Sequence, residues 1–162
     1  MRSYRLTPKA RSDIRRLLAV QTKTLGEILQ DAGIVSSFEV ESALQIQVQQ
    51  PDLRIGEILA QQGLIQLKTA DFFVHDWSKI IIQPQKDALG YYLQQAAILN
   101  AAQIEVILAE QRATGVRFGT VAVFQGFLRS TTLDFFLANL FPQELHVSPF
   151  VNMSGSPSLV KF

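Results

Sequence analysis

The chain has no cysteine. That excludes a disulfide framework, a thiolate nucleophile and cysteine-based zinc sites, and it fits a reducing cytoplasm. Histidine is nearly as scarce, with only His75 and His146. Asp71 and Asp76 stand near His75, which makes at most a partial metal face; a surface histidine in a helix accounts for the same residues, and no metal is expected. Long apolar runs are missing too. The stretch "LLAV" at 17–20 is one turn of helix, where a membrane span needs about 20 residues. No apolar segment follows the N-terminal arginines, so a secretory signal peptide is not expected. Neither G-x-x-x-x-G-K-[ST] nor a G-x-G-x-x-G behind a strand occurs, and the carboxylates form no evident acid–base pair. The chain is therefore expected to be non-catalytic and to require no cofactor.

What the 162 residues do contain is apolar mass, 48% hydrophobic against 18% charged. That is enough to bury a core. The net charge of +1 hides an asymmetry. Residues 1–23 carry Arg2, Arg5, Lys9, Arg11, Arg15, Arg16 and Lys23 against Asp13 alone, a net +6; the remaining 139 residues hold eight basic and thirteen acidic groups, a net −5. Thr7 and Pro8 open a helix in this arm. Ala10, Ile14, Leu17 and Leu18 form its apolar stripe, with the cations mostly off it. Such a helix either packs its stripe on the body or meets an anionic membrane surface, nucleic acid or an acidic partner. An Arg-rich transit peptide is a third reading.

From residue 24 the sequence repeats itself. "TLGEILQDAGIV" (24–35) is echoed by "RIGEILAQQGLI" (54–65), and two weaker copies follow. Gly26, Gly56, Gly90 and Gly119 each follow an apolar residue; seven positions on come Gly33, Gly63, Ala97 and Gly126, each before two apolar residues. "ESALQIQ" (41–47) aligns with "EVILAEQ" (105–111), and "TADFF" (69–73) with "TLDFF" (132–136). The order is A-B-A′-B′, two pseudo-equivalent halves at 24–82 and 88–141, between the arm at 1–23 and a Pro/Ser/Gly-rich tail at 142–162 that reads as flexible, with Phe150, Leu159 and Phe162 as its isolated apolar anchors.

Each unit reads as a short helix, a tight turn and a longer helix. Leu25, Ile28, Leu29 and Ala32 share a helical face, and Gly33 follows as a left-handed C-terminal cap. Ala97 in the third copy implies a different turn or strain there. Ser36 with Glu39 is a capping box, and Asn100 with Gln103 resembles one. Leu44 and Leu108, with Ala43 and Ile107, are expected to face inward. Pro51 and Gly115 end the long helices. Only "KIIIQ" (79–83) suggests a short strand. The prediction is an all-α fold, a tandem repeat of four short helix-turn-helix units behind a basic N-terminal helix. Glycine in the first turn of a helix costs roughly 0.5–1 kcal/mol against alanine. Its recurrence at 26, 56, 90 and 119 means that either another helix or a ligand comes close to the backbone.

At these residues the sequence resembles the N-terminal domain of type II secretion and type IV pilus assembly ATPases, the MshE/GspE N-terminal family. That family carries a pattern close to R-L-G-x-x-L-x-x-x-G-x-I, then L-x-x-A-L-x-x-Q. The resemblance covers about 24–141 in two tandem copies, without the ATPase domain. It implies either a docking domain for a protein of a secretion machine or a receptor for cyclic di-GMP. For the receptor, the positions that match are Leu25, Gly26, Leu29, Gly33, Leu44 and Gln47, followed by Arg54, Ile55, Gly56, Leu59 and Gly63, with Lys23 as a candidate cation nearby. Gln111, Arg117, Gly119 and Gly126 are the second-half equivalents. Thr24 and Ala88 replace the family's Arg in copies one and three, and Ala122 stands where Leu29 and Leu59 stand in the first half. A protein-docking role is the first expectation, cyclic di-GMP binding the second, and membrane or nucleic-acid binding through Arg2, Arg5, Lys9, Arg11, Arg15 and Arg16 the third.

Overall fold

The computed structural model describes residues 7–144. The tail's anchors at 150, 159 and 162, and Arg2 and Arg5 of the arm, lie outside them. Among the described residues every regular element is helical and there is no strand. The chain divides into two compact units, with the boundary between Lys86 and Asp87.

The first unit begins with α1 (Pro8–Gln21), then α2 (Leu25–Asp31), α3 (Ser37–Gln49) and α4 (Ile55–Gln61). A longer helical stretch closes it: α5 (Leu67–Asp71), a π-helical turn (Phe72–Asp76) and α6 (Trp77–Ile82). "KIIIQ", expected as a possible strand, is thus the end of α6. The π turn explains the change. Phe72 and Trp77 are five residues apart, about 140° around an α-helix. The backbone N–H of Trp77 instead reaches the carbonyl of Phe72, a widened turn that brings both rings to one side. Phe72, Phe73 and Trp77 are all buried, with ring centroids 5.2–6.0 Å apart. Aromatic rings of this size supply most of a small core's buried area.

The start of α2 shows local chemistry overriding the repeat. Thr24 Oγ1 accepts the N–H of Glu27 at 3.3 Å, and Glu27 Oε2 accepts the N–H and hydroxyl of Thr24 at 2.7 and 2.9 Å. This capping box satisfies donors that the first turn of a helix leaves open. Those two hydrogen bonds hold the Glu27 carboxyl below its ordinary range, the backbone one contributing most. Ser36 with Glu39 does the same for α3. At the end of α6, Lys86 Nζ donates to the carbonyls of Ile80, Ile81 and Gln83. Cations suit the carbonyl end of a helix, and burial pulls this ammonium below the usual lysine range.

The arm helix packs against α6 by only half of the expected stripe, Ala10 and Leu17. Ala10, Asp13, Arg16 and Leu17 are the partly covered positions, while Ile14 and Leu18 are 41% and 54% exposed. Asp13 lies within electrostatic reach of the Lys86 ammonium, as do the opposing cations of Arg16 and Lys9.

The second unit comprises α7 (Leu89–Gln95), α8 (Ala101–Thr114), α9 (Phe118–Phe124) and α10 (Ser130–Leu140). Asn100 and Gln103 form a complete capping box on α8, which ends at Gly115 in the left-handed region. Tyr92 is buried, and its hydroxyl accepts the N–H of Asp87 at 2.8 Å. Burial raises its phenol above the ordinary value. The core holds Leu93, Ile107, Phe136 and Leu140. Ala97 has φ 53°, close to the 65° of Gly33, so the third copy keeps the glycine-type turn and accepts strain instead of changing it.

Candidate ligand cleft and docking face

Each short helix begins on an extended residue, Thr24, Arg54, Ala88 or Arg117, with the recurring glycine two positions on. All four glycines are buried. A Cβ placed on Gly26 would lie 2.8 Å from Val40 Cγ1, and on Gly56 2.7 Å from Ala70 Cβ. On Gly90 it would meet the Phe118 ring at 2.8 Å, and on Gly119 Leu133 Cδ1 at 2.5 Å. In the first unit the approach is reciprocal: Ile55 Cδ1 comes within 3.5 Å of the Gly26 position and Leu25 Cδ2 within 3.1 Å of the Gly56 position. Of the two causes considered for the glycines, close packing of the chain's own side chains occupies the space at every one.

The other first-half candidates divide accordingly. Leu29 and Leu59 are fully buried core residues, and Leu25 and Ile55 are half-buried at the helix crossing. Gly33 and Gly63 close α2 and α4 in left-handed turns. Lys23 is paired with Asp31 on the surface, a contact worth little energetically. Gln47 Nε2 donates to the carbonyl of Leu53 at 3.0 Å and so ties the loop before Arg54 to α3. Arg54 donates its backbone N–H to Glu57 Oε2 at 2.7 Å; its side chain is exposed and has no ion pair among the described residues. Leu44, expected inward, is 48% exposed.

In the second unit three of the predicted equivalents meet. A cleft of about 340 Å³ is lined by Leu89, Gln111, Arg117, Phe118, Gly119, Thr120, Leu133, Leu137 and Glu144. Its size falls at the small end of ligand pockets, with apolar walls and a few polar groups. Arg117 is exposed and brings a cation, Glu144 a carboxylate, Gln111 and Thr120 neutral hydrogen-bonding groups. Unlike Gln47, Gln111 has no side-chain hydrogen bond among the described residues, so its amide is available. Gly126 is elsewhere, closing α9 in a left-handed turn. Sequence reasoning missed Leu89 and Phe118, although both occupy the apolar position before the repeat glycine. Leu133 and Leu137 were not singled out, and Glu144 falls in the stretch read as tail.

A second feature lies on α3. Val40 and Ala43 are buried on one side. The same helix leaves Phe38 78%, Val48 83% and Leu44 48% exposed, spread over about 120° of its circumference. In the aligned positions of α8, Ala102, Arg112 and Leu108 stand instead, and Leu108 is half-buried. Of the arm's candidates, Lys9, Arg11 and Arg15 are exposed and Arg16 half-buried. No helix among the described residues is long and apolar enough to cross a membrane.

No protein-family model matches the chain, and no solved structure matches it. Over 121 residues it is 39% identical to an uncharacterized protein of the cyanobacterium Picosynechococcus sp.. The match covers 75% of this chain and 66% of that protein, so the chain spans somewhat less than two thirds of that relative.

Proposed function

We propose that the chain is a non-catalytic, cytoplasmic interaction module that docks a protein partner through the outward side of α3. The observation that carries this reading is the exposure of three large apolar residues, Phe38, Leu44 and Val48, on one 13-residue helix. Single exposed aliphatics are ordinary; here Leu44 and Val48 are i, i+4 neighbours and Phe38 adds an exposed aromatic one and a half turns earlier, apolar area that a partner could cover. The aligned side of α8 lacks the large exposed apolar pair, so the repeat itself does not require it. The resemblance to secretion-ATPase N-terminal domains points to the same class of role. The test is quantitative affinity capture with the wild-type chain and with Phe38→Ser/Val48→Ser. Proteins retained by the wild type should be lost by the variant while helicity and melting temperature hold. An identical set of captured proteins on both would remove the α3 reading.

A second reading is cyclic di-GMP binding, and the cleft of the second unit favours it. Arg117 supplies a cation for phosphate or a plane for guanine stacking, Phe118 an aromatic wall, and Gln111 a free amide. On this reading Arg117→Ala weakens binding far more than Arg54→Ala, the reverse of a first-half site. Titration calorimetry decides: absence of heat at ~100 μM ligand, where micromolar binding would be evident, would rule the reading out.

A further inference from the structure

The way α1 is seated leaves a surface that the repeat does not explain. The helix turns Ala10, Asp13, Arg16 and Leu17 toward the body. The other side presents Arg11, Ile14, Arg15 and Leu18, spaced i, i+3, i+4, i+7 and so contiguous on one helix face. All four are exposed, Ile14 by 41% and Leu18 by 54%. The arm's single acid, Asp13, is not on this face; it sits within electrostatic reach of Lys86. The outward face therefore carries two aliphatics and two arginines in alternation, and no negative charge.

We propose that this face of α1 is a docking surface for an anionic lipid bilayer, on which the helix lies in the interface plane. The pattern matches what an interfacial helix needs, aliphatics to enter the headgroup boundary and cations to meet anionic lipid. A duplex nucleic acid would use the arginines but leave Ile14 and Leu18 without a role. A peptide helix would require a concave groove, and this face is the convex side of a single helix. Arg2 and Arg5 precede it in the sequence and add to the same charge. The surface is separate from α3, so its failure would leave the protein-docking reading untouched.

The experiment is co-sedimentation of the full chain with phosphatidylcholine vesicles containing about 30 mol% phosphatidylglycerol, against pure phosphatidylcholine. Binding is expected only to the anionic vesicles, and it should weaken as salt rises. Arg11→Gln/Arg15→Gln should lower partitioning roughly 20- to 30-fold, at about tenfold per 1.4 kcal/mol and about 1 kcal/mol per arginine. Ile14→Ser/Leu18→Ser keeps the charge and should still lower it several-fold. Both pairs face away from α6, so an unchanged circular dichroism spectrum is expected to accompany each loss. Absence of binding to anionic vesicles overturns the proposal. So does binding that survives both double variants, or binding that the arginine pair abolishes and the aliphatic pair leaves unchanged. That last result would mark a general polyanion site, with equal binding to duplex DNA expected.

Discussion

Replacing Gly56 with alanine tests the packing account of the repeat. Gly56 lies in the first turn of α4, where alanine is intrinsically favoured by up to about 1 kcal/mol. Propensity alone therefore predicts stabilisation. The geometry predicts the opposite. The new methyl would sit 2.7 Å from Ala70 Cβ and 3.1 Å from Leu25 Cδ2, against an optimal carbon–carbon separation of roughly 3.5–4.0 Å. Leu25 can rotate away. Ala70 cannot, because its methyl is fixed to the backbone of α5, so α4 and α5 must part by about 1 Å. Overpacking of this kind costs roughly 1–3 kcal/mol, which offsets the propensity gain and leaves a net loss of up to ~2 kcal/mol. Urea unfolding followed by circular dichroism should show a lower midpoint at unchanged slope. Ala70→Gly in the same chain removes the opposing methyl, so the double variant should be more stable than the sum of the two single effects predicts. A Gly56→Ala protein at least as stable as wild type, or an additive double variant, would refute the packing explanation and reopen the space over Gly56 to a ligand.

Three further outcomes follow from local geometry. Ala97→Gly should raise stability by ~0.5–1 kcal/mol. It relieves a left-handed alanine at φ 53°, which costs roughly 1–2 kcal/mol, and loses less than that to unfolded-state entropy; a lower urea midpoint would refute the strain. Glu27 should titrate below the ordinary 4.5. Because its folded value lies below its unfolded one, its stabilising contribution is complete above 4.5 and is lost as pH falls through the folded value. NMR titration should show that midpoint, and Thr24→Val, which removes the hydroxyl but keeps the N–H, should move it part of the way up; a wild-type midpoint at or above 4.5 would refute the capping box. Tyr92→Phe should cost ~1 kcal/mol by removing the acceptor of the Asp87 N–H in a buried setting, and an unchanged midpoint would show that bond to be without weight.

The all-α fold was legible because three signals agreed: helical periodicity in copies such as Leu25–Ile28–Leu29–Ala32, glycine or its substitute at helix ends, and the boxes at Ser36 and Asn100. The π turn was not, since "FFVHD" has no local mark that separates five-residue from four-residue closure; the burial of Phe72, Phe73 and Trp77 together decides it. The orientation of α1 was half legible: Ala10 and Leu17 of the expected stripe are partly covered, but Asp13 and Arg16 share that side, and Ile14 and Leu18 are exposed. Thr24 was read as a lost arginine, although Thr24-x-x-Glu27 is a capping-box pattern plain in the sequence. Leu44 was assigned to the core by its place in the motif, and side-chain exposure is set by what α3 packs against, which no single-chain period reveals.

The candidate site was legible only as a set of positions, and the reason lies in the motif itself. Its glycines serve close packing in both units, through Val40 and Ala70 in the first and Phe118 and Leu133 in the second. In this chain those glycines therefore mark the packing of the fold and do not by themselves mark a ligand. The residues that could separate the halves are those whose polar groups packing leaves to choice. Gln47 is committed to the Leu53 carbonyl, while its counterpart Gln111 faces the cleft beside Arg117. Position 24 is committed to a helix cap, while position 117, its fourth-copy counterpart, offers a guanidinium to the cleft. Equivalent letters of the repeat thus carry unequal chemistry: Arg54 and Arg117 both leave an exposed guanidinium, but only Arg117 has an uncommitted glutamine, Gln111, beside it on a common cleft.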